Sequence, residues 1–258
     1  MPRVRRQACV QHAEACGVIL RFKNESLPNK LVEFERLRFH AIAVGLSLQS
    51  DRQPTTLRVD NRPGTYPSVR LQTTVPNLAW MNVAMGPRAW CKLCYQVGHE
   101  LGHVLCNSWE PNAKPRSPCQ WIEETLVEAF SLRGLAILAN NWAATPPFPN
   151  DGDYASSIRD YRQALLKGYR TAAQDQGAET GLGIWFKAQE AVLTEKSGLD
   201  AARGAVLTML NLLESDATML QDLGALNRWP GRSGVPLHNY LVLWEKSCAE
   251  LNAPGRLP

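Results

Sequence analysis

The stretch Tyr95-Gln96-Val97-Gly98-His99-Glu100-Leu101-Gly102-His103-Val104-Leu105 decides how the rest of the chain reads. Its centre is HExxH. Residues four apart share one face of a helix, so His99 and His103 can offer two imidazole nitrogens to one metal ion. Glu100 follows the first histidine and sits beside that face, where its carboxylate can polarise a water at the metal. Two histidines do not complete a zinc site. A third protein ligand is needed, with one position left open if the site is to do chemistry.

The next helical stretch supplies candidates for that ligand in Trp121-Ile122-Glu123-Glu124-Thr125-Leu126-Val127-Glu128-Ala129-Phe130. Ser117-Pro118-Cys119-Gln120 reads as its start, with Ser117 as N-cap, Pro118 as first helical residue and Gln120 closing a capping box. Ile122, Leu126, Ala129, Phe130, Leu132 and Ile137 make a largely apolar, mostly buried helix reaching about Asn140. Three carboxylates on such a helix are costly unless something cationic faces them, and a zinc ion with its histidines would do so. Glu124 and Glu128 are four apart. One can bind the metal while the other accepts the second ring N–H of a ligand histidine.

HExxH followed by a helix bearing a glutamate resembles the gluzincin metallopeptidases, the thermolysin-like and zinc aminopeptidase group. The resemblance covers about residues 78–140. It implies a zinc ligand on the second helix with an acidic residue four positions on. Trp121-Ile122-Glu123-Glu124 is similar to the aminopeptidase Trp-Leu-Asn-Glu, with Glu123 standing where those families often have Asn. Spacing from His103 favours Glu123, whereas the acidic partner at i+4 favours Glu124. Glu124 is taken as the ligand and Glu128 as the residue behind a histidine, with Glu123 and Glu128 as the alternative ligands. Glu128-Ala129-Phe130-Ser131 is also loosely similar to the helix of small metallopeptidases that act on phage-type repressors, which is what gives Glu128 its share.

Around this centre the composition is that of a globular protein. Hydrophobic residues make up 45% and charged residues 20% of 258 positions, so a large core can be built. The formal net charge of +4 is too mild, and the Lys and Arg too scattered, to predict a nucleic-acid groove. Arg3, Arg5 and Arg6 are followed by Gln7-Ala8-Cys9 rather than an apolar run, so no secretory signal is read, and no stretch has the length of a membrane span. Seven cysteines, an odd number, suit reduced thiols in a cytoplasm. Cys91-Lys92-Leu93-Cys94 with Cys106 and Cys119 invites a second zinc or a redox motif, but small buried side chains are the expected role.

Upstream, Val18 to Phe22 reads as a strand and residues 28–48 as a helix. Thr55 to Val59, Ser68 to Val75 and Leu78 to Met85 read as strands separated by Asn61-Arg62-Pro63-Gly64 and Pro76-Asn77 turns. The last of these is expected at the cleft edge, where an extended peptide can add to the sheet. The loop Asn107 to Arg116 is polar and is expected to border the cleft. Thr145-Pro146-Pro147-Phe148-Pro149 reads as a boundary, and beyond it everything reads helical.

The expectation is therefore an α+β protein. Residues 1–144 would form a zincin-like core, a small mixed sheet with a zinc helix and a glutamate helix, and residues 145–258 a mainly helical part walling the cleft. The expected activity is zinc-dependent peptide hydrolysis on a peptide or protein substrate, with His99, His103 and Glu124 on Zn2+, Glu100 as general base and Glu128 behind the ligands. The alternatives are a zinc-dependent regulatory or binding module and a narrow-specificity, repressor-type protease. Tyr154, Tyr161, His238 and Tyr240 are available as oxyanion donors, and nothing in the sequence selects one.

Overall fold

The computed structural model describes residues 19–22, 50–71, 75–86, 89–110, 113–142, 153–196 and 198–258. The helix expected over 28–48 and the boundary at 145–149 lie outside them. The described chain is mixed α+β. Four strands, β1 (Ile19–Phe22), β2 (Thr56–Asn61), β3 (Ser68–Arg70) and β4 (Leu78–Val83), form one sheet in the order β1-β2-β4-β3. β1, β2 and β4 run parallel, and β3 pairs antiparallel with β4. Alternation sends Leu57, Val59, Ala79 and Met81 into the core and turns Arg58, Trp80 and Arg70 to the other face.

Two of the strand readings change. The strand expected over 68–75 pairs only through Arg70, and residues 72–74 are not among those described. β4, expected at the edge, is central, because β3 folds back antiparallel onto the side that β2 leaves open. Among the described residues the edge nearest the HExxH helix is β3.

Helix α1 (Trp90–Leu105) carries HExxH, and α2 (Gln120–Asn141) carries the three glutamates. Gln96 ties α1 to the end of β4, accepting from the Ala84 N–H at 2.8 Å and donating to the Ala84 carbonyl at 3.3 Å. Just past the end of α1 comes Asn107, whose positive φ of 64° is a conformation asparagine tolerates. Its amide donates to the carbonyls of Gly224 and Leu226 at 3.0 and 2.8 Å. Those bonds bury the start of the loop, Asn107, Ser108 and Trp109, while Lys114, Pro115 and Arg116 are exposed.

α2 is the central helix and is buried nearly all round. It packs on α1 and on two helices of the second half, α3 (Tyr154–Asp175) and α6 (Val206–Ser215). The expected Ser117–Gln120 cap does not form. The helix begins at Gln120, two residues later, and no side chain caps it. Tertiary and local carbonyls satisfy the free N–H groups instead, with Cys119 donating to Ser233 at 3.0 Å and Ile122 to Cys119 at 3.1 Å. The remaining helices are α4 (Leu182–Glu195), the single turn α5 (Leu199–Ala202) and α7 (Leu237–Leu251), with a 3-10 segment over Ala217–Ala225. One buried apolar cluster runs from Leu57 in β2 to Cys248 in α7. No helix among the described residues is long and apolar enough to cross a membrane.

Candidate metal centre

α1 and α2 meet more closely than ordinary side chains permit. A Cβ added to Gly102 would lie 2.7 Å from Val127 Cβ and 3.1 Å from Val127 Cα, and one added to Gly98 would lie 3.0 Å from Ser131 Oγ. The two glycines are four apart, on the face of α1 that touches α2. Ser131 adds a cross-link, its hydroxyl donating to the Tyr95 carbonyl at 2.6 Å. This contact brings the glutamates of α2 up to the histidines of α1.

His99 and His103 stand edge to face, ring centroids 5.0 Å apart. Each presents Nδ1 to a different buried carboxylate: His99 to Glu128 Oε2 at 2.8 Å, His103 to Glu123 Oε1 at 2.6 Å. An ionised carboxylate only accepts, so each Nδ1 carries a proton and Nε2 is the nitrogen each ring keeps for a metal. Both Nε2 atoms face Glu124 Oε2, at 3.8 Å from His99 and 3.7 Å from His103. Donors on a tetrahedral zinc at ordinary bond lengths lie about 3.3 Å apart. The three donor atoms lie within 4.8 Å of one another, so the group is wider than a loaded site and would have to draw in around a metal. His99, His103 and Glu124 are positioned to hold a metal ion, and they are the one such group among the described residues. The described cysteines form no second one: Cys94, Cys106, Cys119 and Cys248 are buried free thiols, and the partly exposed Cys91 donates to the Tyr154 hydroxyl.

The carboxylates behind the histidines are themselves fully partnered. Glu128 accepts from the hydroxyls of Tyr95 at 2.6 Å and Tyr169 at 2.7 Å. Glu123 accepts from the Asn227 amide at 2.7 Å. Burial alone would raise both carboxyl pKa values, but hydrogen bonds and charge from the histidines outweigh it and hold both below the ordinary value. His103 shows the converse. Burial disfavours its charged form, yet Glu124 and Glu123 push its pKa up to about 10. Glu100 is 4% exposed. Burial raises its carboxyl, and His103, His99 and the Val69 backbone pull it back in part.

Tyr95, Tyr169 and Asn227 were not singled out from the sequence. Tyr95 had a signal, since it lies four residues before His99 on the same helix. Tyr169 and Asn227 arrive from distant elements and had none. Of the candidate donors, Tyr240 reaches the network only through Asn227 Oδ1 at 3.4 Å, Tyr154 bonds Cys91, Tyr161 lies edge-on to Tyr95, and His238 is exposed.

Compared with family models, curated proteins and solved structures, the chain matches none.

Proposed function

We propose that this protein is a zinc-dependent peptide hydrolase whose core resembles that of the gluzincins. His99, His103 and Glu124 would hold the zinc. The donor set suits that metal: two imidazole nitrogens and one carboxylate oxygen, with the histidine tautomers fixed by Glu128 and Glu123. When bound, zinc supplies the Lewis acidity that makes a water nucleophilic near neutral pH and stabilises charge on a substrate carbonyl oxygen.

The chain's own residues do the rest. Glu100 takes a proton from the attacking water and delivers it to the leaving amine as the C–N bond breaks. An extended peptide would lie along the outer edge of β3 by strand addition. Val69 of that strand lies near Glu100, which would put a peptide there close to the base.

The observation that carries this reading is Glu100 itself. It is a buried carboxylate beside the metal group yet outside it, and a site that only bound metal would have no use for so costly a neighbour. The test is Glu100→Gln, which keeps the side chain's size and removes its basicity. Wild-type and variant protein, both loaded with zinc, are incubated with a peptide library and products are read by mass spectrometry. Cleavage by the wild type alone is the expected result. Equal cleavage by both forms, or none by either, overturns the assignment.

A further inference from the structure

The two carboxylates behind the histidines divide their oxygens in the same way. Glu128 gives Oε2 to His99 at 2.8 Å, and its Oε1 accepts from Tyr95 at 2.6 Å and Tyr169 at 2.7 Å. Glu123 gives Oε1 to His103 at 2.6 Å, and its Oε2 accepts from Asn227 at 2.7 Å. The last torsion of a glutamate is broad and roughly two-fold, so the rotamer alone does not set the carboxylate plane. Here bonds at both oxygens set it, and with it the direction of each ring.

Tyr95 lies on α1 itself, but the other two grips come from the second half of the chain. Tyr169, on α3, is buried, and Arg203 stands 5.0 Å from its ring centroid. Asn227 follows the 3-10 segment, is buried, and takes a left-handed backbone with φ of 59°, which asparagine tolerates. Its amide also donates to the Cys106 carbonyl at 3.2 Å and approaches Ser108 Oγ at 3.4 Å. One side chain therefore joins the end of α1 to the first turn of α2. Neither Tyr169 nor Asn227 belongs to the group that faces the metal.

We propose that Tyr169 and Asn227 are positioning residues of the metal centre. They hold Glu128 and Glu123, these aim His99 and His103, and the helical half thereby sets how tightly the site binds zinc. This rests on the zinc assignment of the proposed function and not on hydrolysis.

The test measures zinc affinity of the full chain by competition with a chelator. Tyr169→Phe removes one oxygen. Asn227→Gly removes the amide and leaves a residue suited to the left-handed backbone. Each should bind zinc about tenfold more weakly, the lower end of the range for losing an outer partner of a metal ligand. Two further readouts separate positioning from a general loss of stability. In a Glu128→Ala background Tyr169→Phe should weaken binding no further, and in a Glu123→Ala background neither should Asn227→Gly, because the route through the carboxylate is gone. The visible absorption spectrum of the cobalt-loaded protein should also shift in each single variant. Tyr169→Phe carries the test alone if Asn227→Gly does not fold. Wild-type zinc affinity in both single variants, or the same loss with and without the carboxylate, overturns the proposal. The expected losses in a protein that binds zinc but cuts no peptide would support this inference and remove the hydrolase reading alone. A wild type that binds no zinc would overturn both.

Discussion

His103 Nδ1 lies 2.6 Å from Glu123 Oε1, and the residue that follows Glu123 in the chain is Glu124, which faces the other nitrogen of the same ring. Two successive carboxylates thus grip one imidazole from its two sides. The rear one fixes the tautomer and makes the ring a better donor, and the front one is placed to share a metal with it. Glu123→Gln keeps the shape and removes the charge. It should weaken zinc binding about 10- to 100-fold, measured by competition with a coloured chelator. Unchanged affinity would mean that the His103–Glu123 contact does not tune the site.

Packing at Gly102 sets how near α2 can come. Gly102→Ala gains about 1 kcal/mol of helix propensity. It also forces a methyl to within 2.7 Å of Val127 Cβ, and overpacking of that kind costs about 1–3 kcal/mol. The expected balance is a less stable protein, seen in urea melts of the metal-free form, together with weaker zinc binding because the glutamates are pushed away. A more stable variant with full zinc affinity would contradict the close helix contact.

The pH dependence follows from His103. Its folded pKa of about 10 lies above the ordinary 6.5, so its contribution to the stability of the metal-free protein is complete below about pH 6.5 and is lost as pH rises toward 10. Zinc must displace that proton. Binding near neutral pH should release about one proton per metal from His103, and affinity should rise with pH across the same window. Calorimetry in buffers of different ionisation enthalpy measures the release. Metal binding without proton release would contradict the raised pKa.

How much of this could be read beforehand differs by residue. The helical face of His99 and His103 needs only the period of one helix, and the same holds for the spacing of Glu124 and Glu128 on another. The rotation of α2 about its axis is not local information. It placed Glu123 behind His103, and it is set by Gly98 and Gly102 meeting Ser131 and Val127. Tyr169 and Asn227 come from elements 41 and 104 residues away from the glutamates they hold, distances at which the sequence carries no periodic signal. β4 has the alternation of a half-buried strand in any position, so its central place depends on β3 folding back. The start of α2 lies two residues later than the cap motif suggests, and the N–H of Cys119 is taken by Ser233, far along the chain.

The central claim is that His99, His103 and Glu124 form the metal centre, with Glu128 supporting it from behind. The most direct test is the zinc content of purified wild-type, His103→Ala, Glu124→Ala and Glu128→Ala proteins by elemental analysis, each titrated against a chelator. The account predicts about one zinc per wild-type chain and none retained by His103→Ala or Glu124→Ala. It predicts that Glu128→Ala keeps zinc with affinity weakened about 10- to 100-fold. Full zinc in His103→Ala, or metal stripped by Glu128→Ala but kept by Glu124→Ala, would contradict it.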